Sequence, residues 1–251
     1  MYADNSAARP QERKYIMENI LGVIGGMGPM ASKLFYEMVT LKTVAHKDQD
    51  HINMVILSHA TMPDRTGAIL SGETEEPLKL LLEDSKTLEN LGAKAICVTC
   101  NTAHYFMHQI SDGKMVSTPI ISMIRETAKR MGKLFPGEKV AIMATDGTVK
   151  SGLYQKALEA EGVVPYTLSE ENQKNTMHLI YDCVKAGLPA DPVAFAAVDA
   201  ELKSSGCKAV LMACTELSVI KADQHLGDFY VDPMEVMAEC AVEFMGKELV
   251  K

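Results

Sequence analysis

The sequence predicts an α/β protein with two similar halves, each a mostly parallel sheet flanked by helices. Short apolar runs alternate with helical patterns along the chain, as expected of parallel strands buried on both faces and joined by helices. The second observation is a repeat. "GAKAICVTCNTAH" (92–104) and "GCKAVLMACTELS" (206–218) each read Gly-x-Lys-Ala, an apolar run, a cysteine eight residues after the glycine, then small polar residues. The third is that "GVIGG" from Gly22 and "AIMAT" from Ala141 open the two halves at similar distances from those cysteines.

The elements follow in order. Residues 20–24, an apolar run closed by glycines, are the first strand. A helical spacing of apolar residues covers 30–47, with Pro29 suited to a first turn. Residues 54–57 read as strand and 76–91 as helix; "MPDRT" (62–66) lies in the loop between them. Residues 95–98 are strand, and a helix starts at Thr102 and runs to 110. After the short apolar stretch 120–121, Ser122 is an N-cap for a helix over 122–133, with Glu126 in its next turn. The order then restarts: strand 140–144, helix 149–161, strand 163–167. Helices over 170–186 and 192–205 are separated by Gly187 and Pro189. Strand 209–213, a short strand 229–231 and a closing helix over 233–248 capped by Asp232 complete the chain. The domains are read as 19–119 plus 230–251 and 120–229, after a flexible tail over 1–18.

Composition limits the function. A chain of 251 residues with 47% hydrophobic and 23% charged residues is typical of globular proteins. The net charge of −8 argues against nucleic-acid binding, and no apolar run is long enough to span a membrane. The polar first 18 residues lack a signal-peptide core. Six cysteines without an export signal are expected as reduced thiols, which points to the cytoplasm.

The repeated cysteines carry the chemistry. Cys100 and Cys214 sit at the carboxyl ends of matched strands, the edge where α/β sheets bind ligands. Two thiols from two halves can address opposite faces of one small molecule. Inversion at carbon needs that arrangement, because one base does not easily serve both faces of a planar intermediate. Each cysteine precedes an expected helix start, at Thr102 and Thr215, where the helix dipole favours thiolate and backbone N–H groups suit a carboxylate. Cys97, Cys183, Cys207 and Cys240 have apolar or helical settings and read as small buried hydrophobes. Cys97 and Cys100 form a C-x-x-C, but an offset of three along a strand sends them to opposite faces, and zinc would need a second pair. "GGMGPMA" offers a rival, since Gly26-x-Gly28-x-x-Ala31 follows a strand and opens a helix as a dinucleotide fingerprint does. Asp48 and Asp50 precede the second strand, however, where the ribose-binding acid should end it.

The motifs "LGVIGGMGPMA" (21–31), "MPDRT" (62–66), "CNTAH" (100–104), "ATDGT" (144–148) and "CTEL" (214–217) occur in this order in aspartate racemases. The chain resembles that family, part of the aspartate/glutamate racemase superfamily, from about Asn19 to Glu248. The resemblance implies racemisation of an acidic amino acid without pyridoxal phosphate, metal or other cofactor. It also implies two pseudo-symmetric α/β domains with the active site in the cleft between them, and a homodimer. By position it makes Cys100 and Cys214 the two proton donor/acceptors. Asn101 and Thr102 would hold the α-carboxylate, Thr215 and Glu216 would flank the second cysteine, and Glu216 would take the ammonium group. Met27 would approach the substrate through backbone. Arg65 would receive the side-chain carboxylate with Lys174 nearby, while Thr145 and Thr148 would line the cleft. His104 is read as structural. Glu216 stands where glutamate racemases carry histidine, and the first loop is glycine-rich where theirs has an Asp-Ser pair. A dinucleotide-dependent oxidoreductase and a non-catalytic amino-acid-binding module are the alternative readings.

Overall fold

The computed structural model describes residues 17–250, so residues 1–16 of the expected tail lie outside the described residues. Two parallel sheets organise the chain. In the first, β1 (Ile20–Gly25) lies between β2 (Asn53–Ser58) and β3 (Ala93–Val98). In the second, β4 (Lys139–Ala144) lies between β5 (Val164–Thr167) and β6 (Ala209–Ala213), with β7 (Tyr230–Val231) outside β6. Each half thus sets its first strand in the middle and its third strand, the one leading to the cysteine, beside it.

Helices cover both faces of each sheet. α1 (Pro29–Lys42) and α11 (Pro233–Phe244) pack on one face of the first sheet, where Leu21, Val23, Ala95 and Cys97 meet Phe35, Val39, Met237 and Ala241. On the other face Ile24, Ile96 and Val98 meet Leu81 and Leu88 of α3 (Glu75–Asn90) and Phe106 and Ile110 of α4 (His104–Asp112). Alternate residues of β3 therefore enter different cores, as the period-two pleat requires. The second sheet repeats the scheme. Val140, Ile142 and Leu211 meet α5 (Met123–Leu134) and α7 (Leu153–Ala160). Met143, Val210 and Met212 meet Leu179 and Ile180, α9 (Pro192–Ser204) and α10 (Thr215–Gln224).

Several boundaries differ from the sequence reading, each for a local reason. The loop expected around Arg65 is helix α2 (Arg65–Ser71), because Asp64 accepts from the Gly67 N–H and Gly72 ends the helix at φ 88°. The single helix expected over 149–161 is two. Thr145 caps α6 (Asp146–Ser151), and Gly152 at φ 66° turns the chain into α7. The helix expected over 170–186 is α8 (Glu170–His178) followed by a π-helical segment, Leu179–Val184. α1 stops at Lys42 rather than 47, and Thr43 bridges to Leu249. Tyr230 and Val231, expected to open the segment returning to the first half, pair with β6 of the second sheet instead; the return begins with α11 and continues to Leu249. Ile120, placed in the second half, bridges to Ile96 of the first sheet.

Candidate active site

The carboxyl ends of the two sheets face each other across a narrow, partly open cavity. Cys100, Asn101 and Thr102 reach it from the end of β3, and Cys214, Thr215 and Glu216 from the end of β6. Met27 comes from the β1–α1 loop, Asp64, Arg65 and Thr66 from the start of α2, Thr145 from the end of β4, and Lys185 from just beyond the π-helical segment. Apart from Asp64 and Lys185, no lining residue is more than 8% exposed.

Hydroxyl groups join the halves here. Thr102 Oγ1 lies 3.0 Å from Thr145 Oγ1 and 2.8 Å from Thr148 Oγ1. α2 and α6 approach so closely that a Cβ on Gly147 would come within 2.8 Å of Thr66 Cα. Asn101 Oδ1 accepts from the Tyr154 hydroxyl at 2.5 Å, while Asn101 Nδ2 is buried with no partner among the described residues. Arg65 donates from one terminal nitrogen to the Met62 and Pro63 carbonyls, and its Nε likewise has no partner among the described residues. A buried donor without a partner costs about 1–3 kcal/mol, so this cavity is built with donors in hand for a ligand. His104 has the structural place expected of it. Its Nδ1 donates to the Cys100 carbonyl and its Nε2 accepts from the Met123 N–H, an assignment fixed by these partners. Burial lowers its pKa to about 3, so the ring is neutral.

The two thiols differ electrostatically. Cys214 Sγ donates to Glu216 Oε2 at 2.8 Å, and Glu216 Oε1 accepts from Lys185 Nζ at 2.5 Å. Burial, reinforced by the Glu216 carboxylate, pushes the Cys214 thiol well above its ordinary range. The helix dipole expected to favour thiolate at Cys214 is therefore outweighed, although α10 does begin at Thr215. Burial works against the Lys185 ammonium, but Glu216 and the two cysteines outweigh it and raise its pKa. Arg65 behaves likewise, burial being outweighed chiefly by Cys100.

Of the residues singled out in the sequence, Cys100, Cys214, Met27, Arg65, Asn101, Thr102, Thr145, Thr215 and Glu216 line the cavity. Thr148 touches it through Thr102. Lys174 does not. Its side chain is 74% exposed on α8 and pairs with Glu170 at 2.9 Å. The neighbouring Gln173 turns inward instead, to the Ala144 carbonyl and Asp146. Thr102 precedes α4 rather than starting it. Sequence reasoning missed Asp64, Thr66 and above all Lys185, whose signal lay in "VKAG", a lysine just before a glycine that ends a helical run. The glycine loop gives no cradle for a pyrophosphate. A Cβ on Gly25 would meet Ser32 Oγ at 2.3 Å and one on Gly26 would meet the His59 backbone at 2.5 Å, so protein already fills that space.

Among known proteins, residues 24–241 match the family described as Asp/Glu/hydantoin racemase. The broad specificity amino-acid racemase RacX of Bacillus subtilis is 29% identical over 147 residues, 57% of this chain and 62% of that protein. The alignment thus spans less than two thirds of that relative. The structure of Picrophilus torridus aspartate racemase superposes with a TM-score of 0.75 at 29% identity, covering 93% of this chain and 96% of that one. An aspartate racemase homologue of Pyrococcus horikoshii shares the fold, with a TM-score of 0.71 at 21% identity over 91% of this chain and all of that one.

Proposed function

The chain belongs to the Asp/Glu/hydantoin racemase family, and from that premise we propose that it interconverts L- and D-aspartate, and glutamate where it fits, with Cys100 and Cys214 as the two bases. The observation that carries this reading is one cavity receiving a thiol from the same position of each half, beside buried donors that have no partner among the described residues. A thiolate on one face takes the α-proton as the opposite thiol gives its own. No carbonyl-bearing cofactor enters this scheme.

The α-proton of an amino acid is far less acidic than a thiol, so charge developing on the α-carboxylate must be stabilised. Asn101 Nδ2 and the hydroxyls of Thr102 and Thr215 are the donors at hand. Fixed donors of this kind are worth roughly 3 kcal/mol each when aimed at developing charge. The second carboxylate meets two cations. Arg65 offers its free Nε, and Lys185 replaces Lys174 as the lysine of the site. Glu216, fixed in place by Lys185, is the carboxylate beside which the substrate ammonium would sit.

Incubation with L-aspartate in heavy water, with no added cofactor, tests the reading. The expected result is D-aspartate carrying deuterium at the α-carbon. Cys100→Ala and Cys214→Ala should each abolish it, and Cys183→Ala, which lies outside the cavity, should not. Full turnover by either of the first two variants would remove the two-base mechanism. An absolute requirement for an added nicotinamide cofactor would favour the oxidoreductase instead.

A further inference from the structure

Although the sequence presents Cys100 and Cys214 as equivalents, their immediate neighbours differ. Cys214 Sγ already gives its proton to a hydrogen bond with Glu216 Oε2 at 2.8 Å, and that carboxylate is 5% exposed. The other oxygen of Glu216 is held by Lys185, so the carboxylate has little freedom to turn away. The Lys185 ammonium also faces Cys214 and pulls its pKa down, but less than burial and the Glu216 carboxylate push it up. The phenols of Tyr154, from α7, and Tyr181, from the π-helical segment, face Cys214 as well. Burial raises both phenols, Tyr181 to about 12, and both stay neutral at ordinary pH. Cys100 lies in the field of the Arg65 guanidinium and has no carboxylate hydrogen-bonded to its sulfur among the described residues, while the Lys185 ammonium acts on both thiols.

We infer that Glu216 decides which cysteine carries the proton in the resting site, keeping Cys214 as thiol and proton donor and leaving Cys100 to act first as base. The inference rests on the two-cysteine reading above. In the first half-reaction Cys100 thiolate takes the α-proton and becomes a thiol. Cys214 delivers its proton to the opposite face of the same carbon and becomes a thiolate. One proton is taken from the substrate and one is returned. To reset, Cys214 regains a proton from solvent and Cys100 releases one. The negative charge of Glu216 drives that reset, because two anions at 2.8 Å repel strongly in a buried site.

The burial of Cys214 supports this assignment, but the hydrogen bond to Glu216 makes it specific to one cysteine. The substitution Glu216→Gln keeps the shape and removes the charge. Glu216→Asp keeps the charge on a shorter arm.

Iodoacetamide labelling of the intact protein between pH 6 and 10, read by peptide mass, separates the two thiols without relying on turnover. In the wild type Cys100 should react at a lower pH than Cys214. In E216Q the midpoint for Cys214 should fall by at least one pH unit, with E216D nearer the wild type. The alkaline limb of kcat/KM for aspartate should fall with it, since a site with two thiolates has no proton donor. The midpoint for Cys100 should stay within a few tenths of a unit. Earlier labelling of Cys214 in the wild type, or an unchanged Cys214 midpoint in E216Q, overturns the assignment. A chain that labels in the expected order but fails to racemise aspartate supports the proton assignment and overturns the functional reading.

Discussion

Two lysines of one continuous helical stretch, Lys174 and Lys185, meet opposite fates. Lys174 is adjacent to Gln173, and a helix rotates successive side chains by about 100°. With Gln173 bonded inward to Asp146, Lys174 is carried out to solvent. Lys185 follows a π-helical turn, in which its N–H bonds to the Ile180 carbonyl, and that wider turn carries it back over the cavity. Hydrogen bonds to charged groups contribute about 1.5–3 kcal/mol, roughly ten- to a hundred-fold in binding. Lys185→Ala should therefore lower kcat/KM for aspartate by at least about tenfold, and Lys174→Ala by less than about twofold, in parallel racemisation assays. The reverse pattern would restore Lys174 to the site. Cys100 and Cys214 were legible in the sequence because a strand end fixes a residue's place almost by itself. Lys185 was not, because a change of helical period in mid-segment leaves no mark in the apolar spacing.

Helix ends were the most readable parts of the elements. Ser122 and Asp232, the caps read in the sequence, both act as N-caps, since a short polar side chain before a helix satisfies free N–H groups. The splitting of 149–161 at Gly152 was harder to read, because only the positive φ of a glycine shows where the helix breaks. Asp232 does more than cap. Its Oδ1 accepts from the Met234 N–H and from Ser218 of α10, tying α10 to α11. Burial raises its pKa to about 6, with those hydrogen bonds pulling back only in part. A carboxyl raised on folding binds its proton more tightly in the native chain than in the unfolded one. Its contribution to stability is therefore greatest below the ordinary value of 3.8, declines as pH rises to about 6, and is level above that. Comparing the wild type with Asp232→Asn in urea should show the difference in stability moving in the variant's favour by up to about 3 kcal/mol between pH 4 and pH 6.5. A difference that stays constant over that range would mean Asp232 is charged throughout.

At the scale of the molecule, the alternation of strands and the repeat were enough to anticipate two matching sheets, and the shared strand order bears that out. The crossing points between halves were not legible. α5 sends Met123 into the core of the first sheet and Ile124 into that of the second, and sequence periodicity does not distinguish two apolar cores. Across the mouth between the halves, Tyr181 donates to Asp64 at 3.2 Å, while Thr102, Thr145 and Thr148 join them at depth. That seam has a consequence in time. A ligand held between the halves leaves only as fast as the seam parts, however weakly the ligand itself is held. Succinate, which has two carboxylates but no reactive α-amino centre, should therefore come off in a slow phase when displaced by excess aspartate in a stopped-flow experiment. Thr148→Ala, which loosens the seam while leaving every cation of the site in place, should speed that phase several-fold. Release too fast to follow in both proteins would mean that the halves part freely and that chemistry alone sets the pace of turnover.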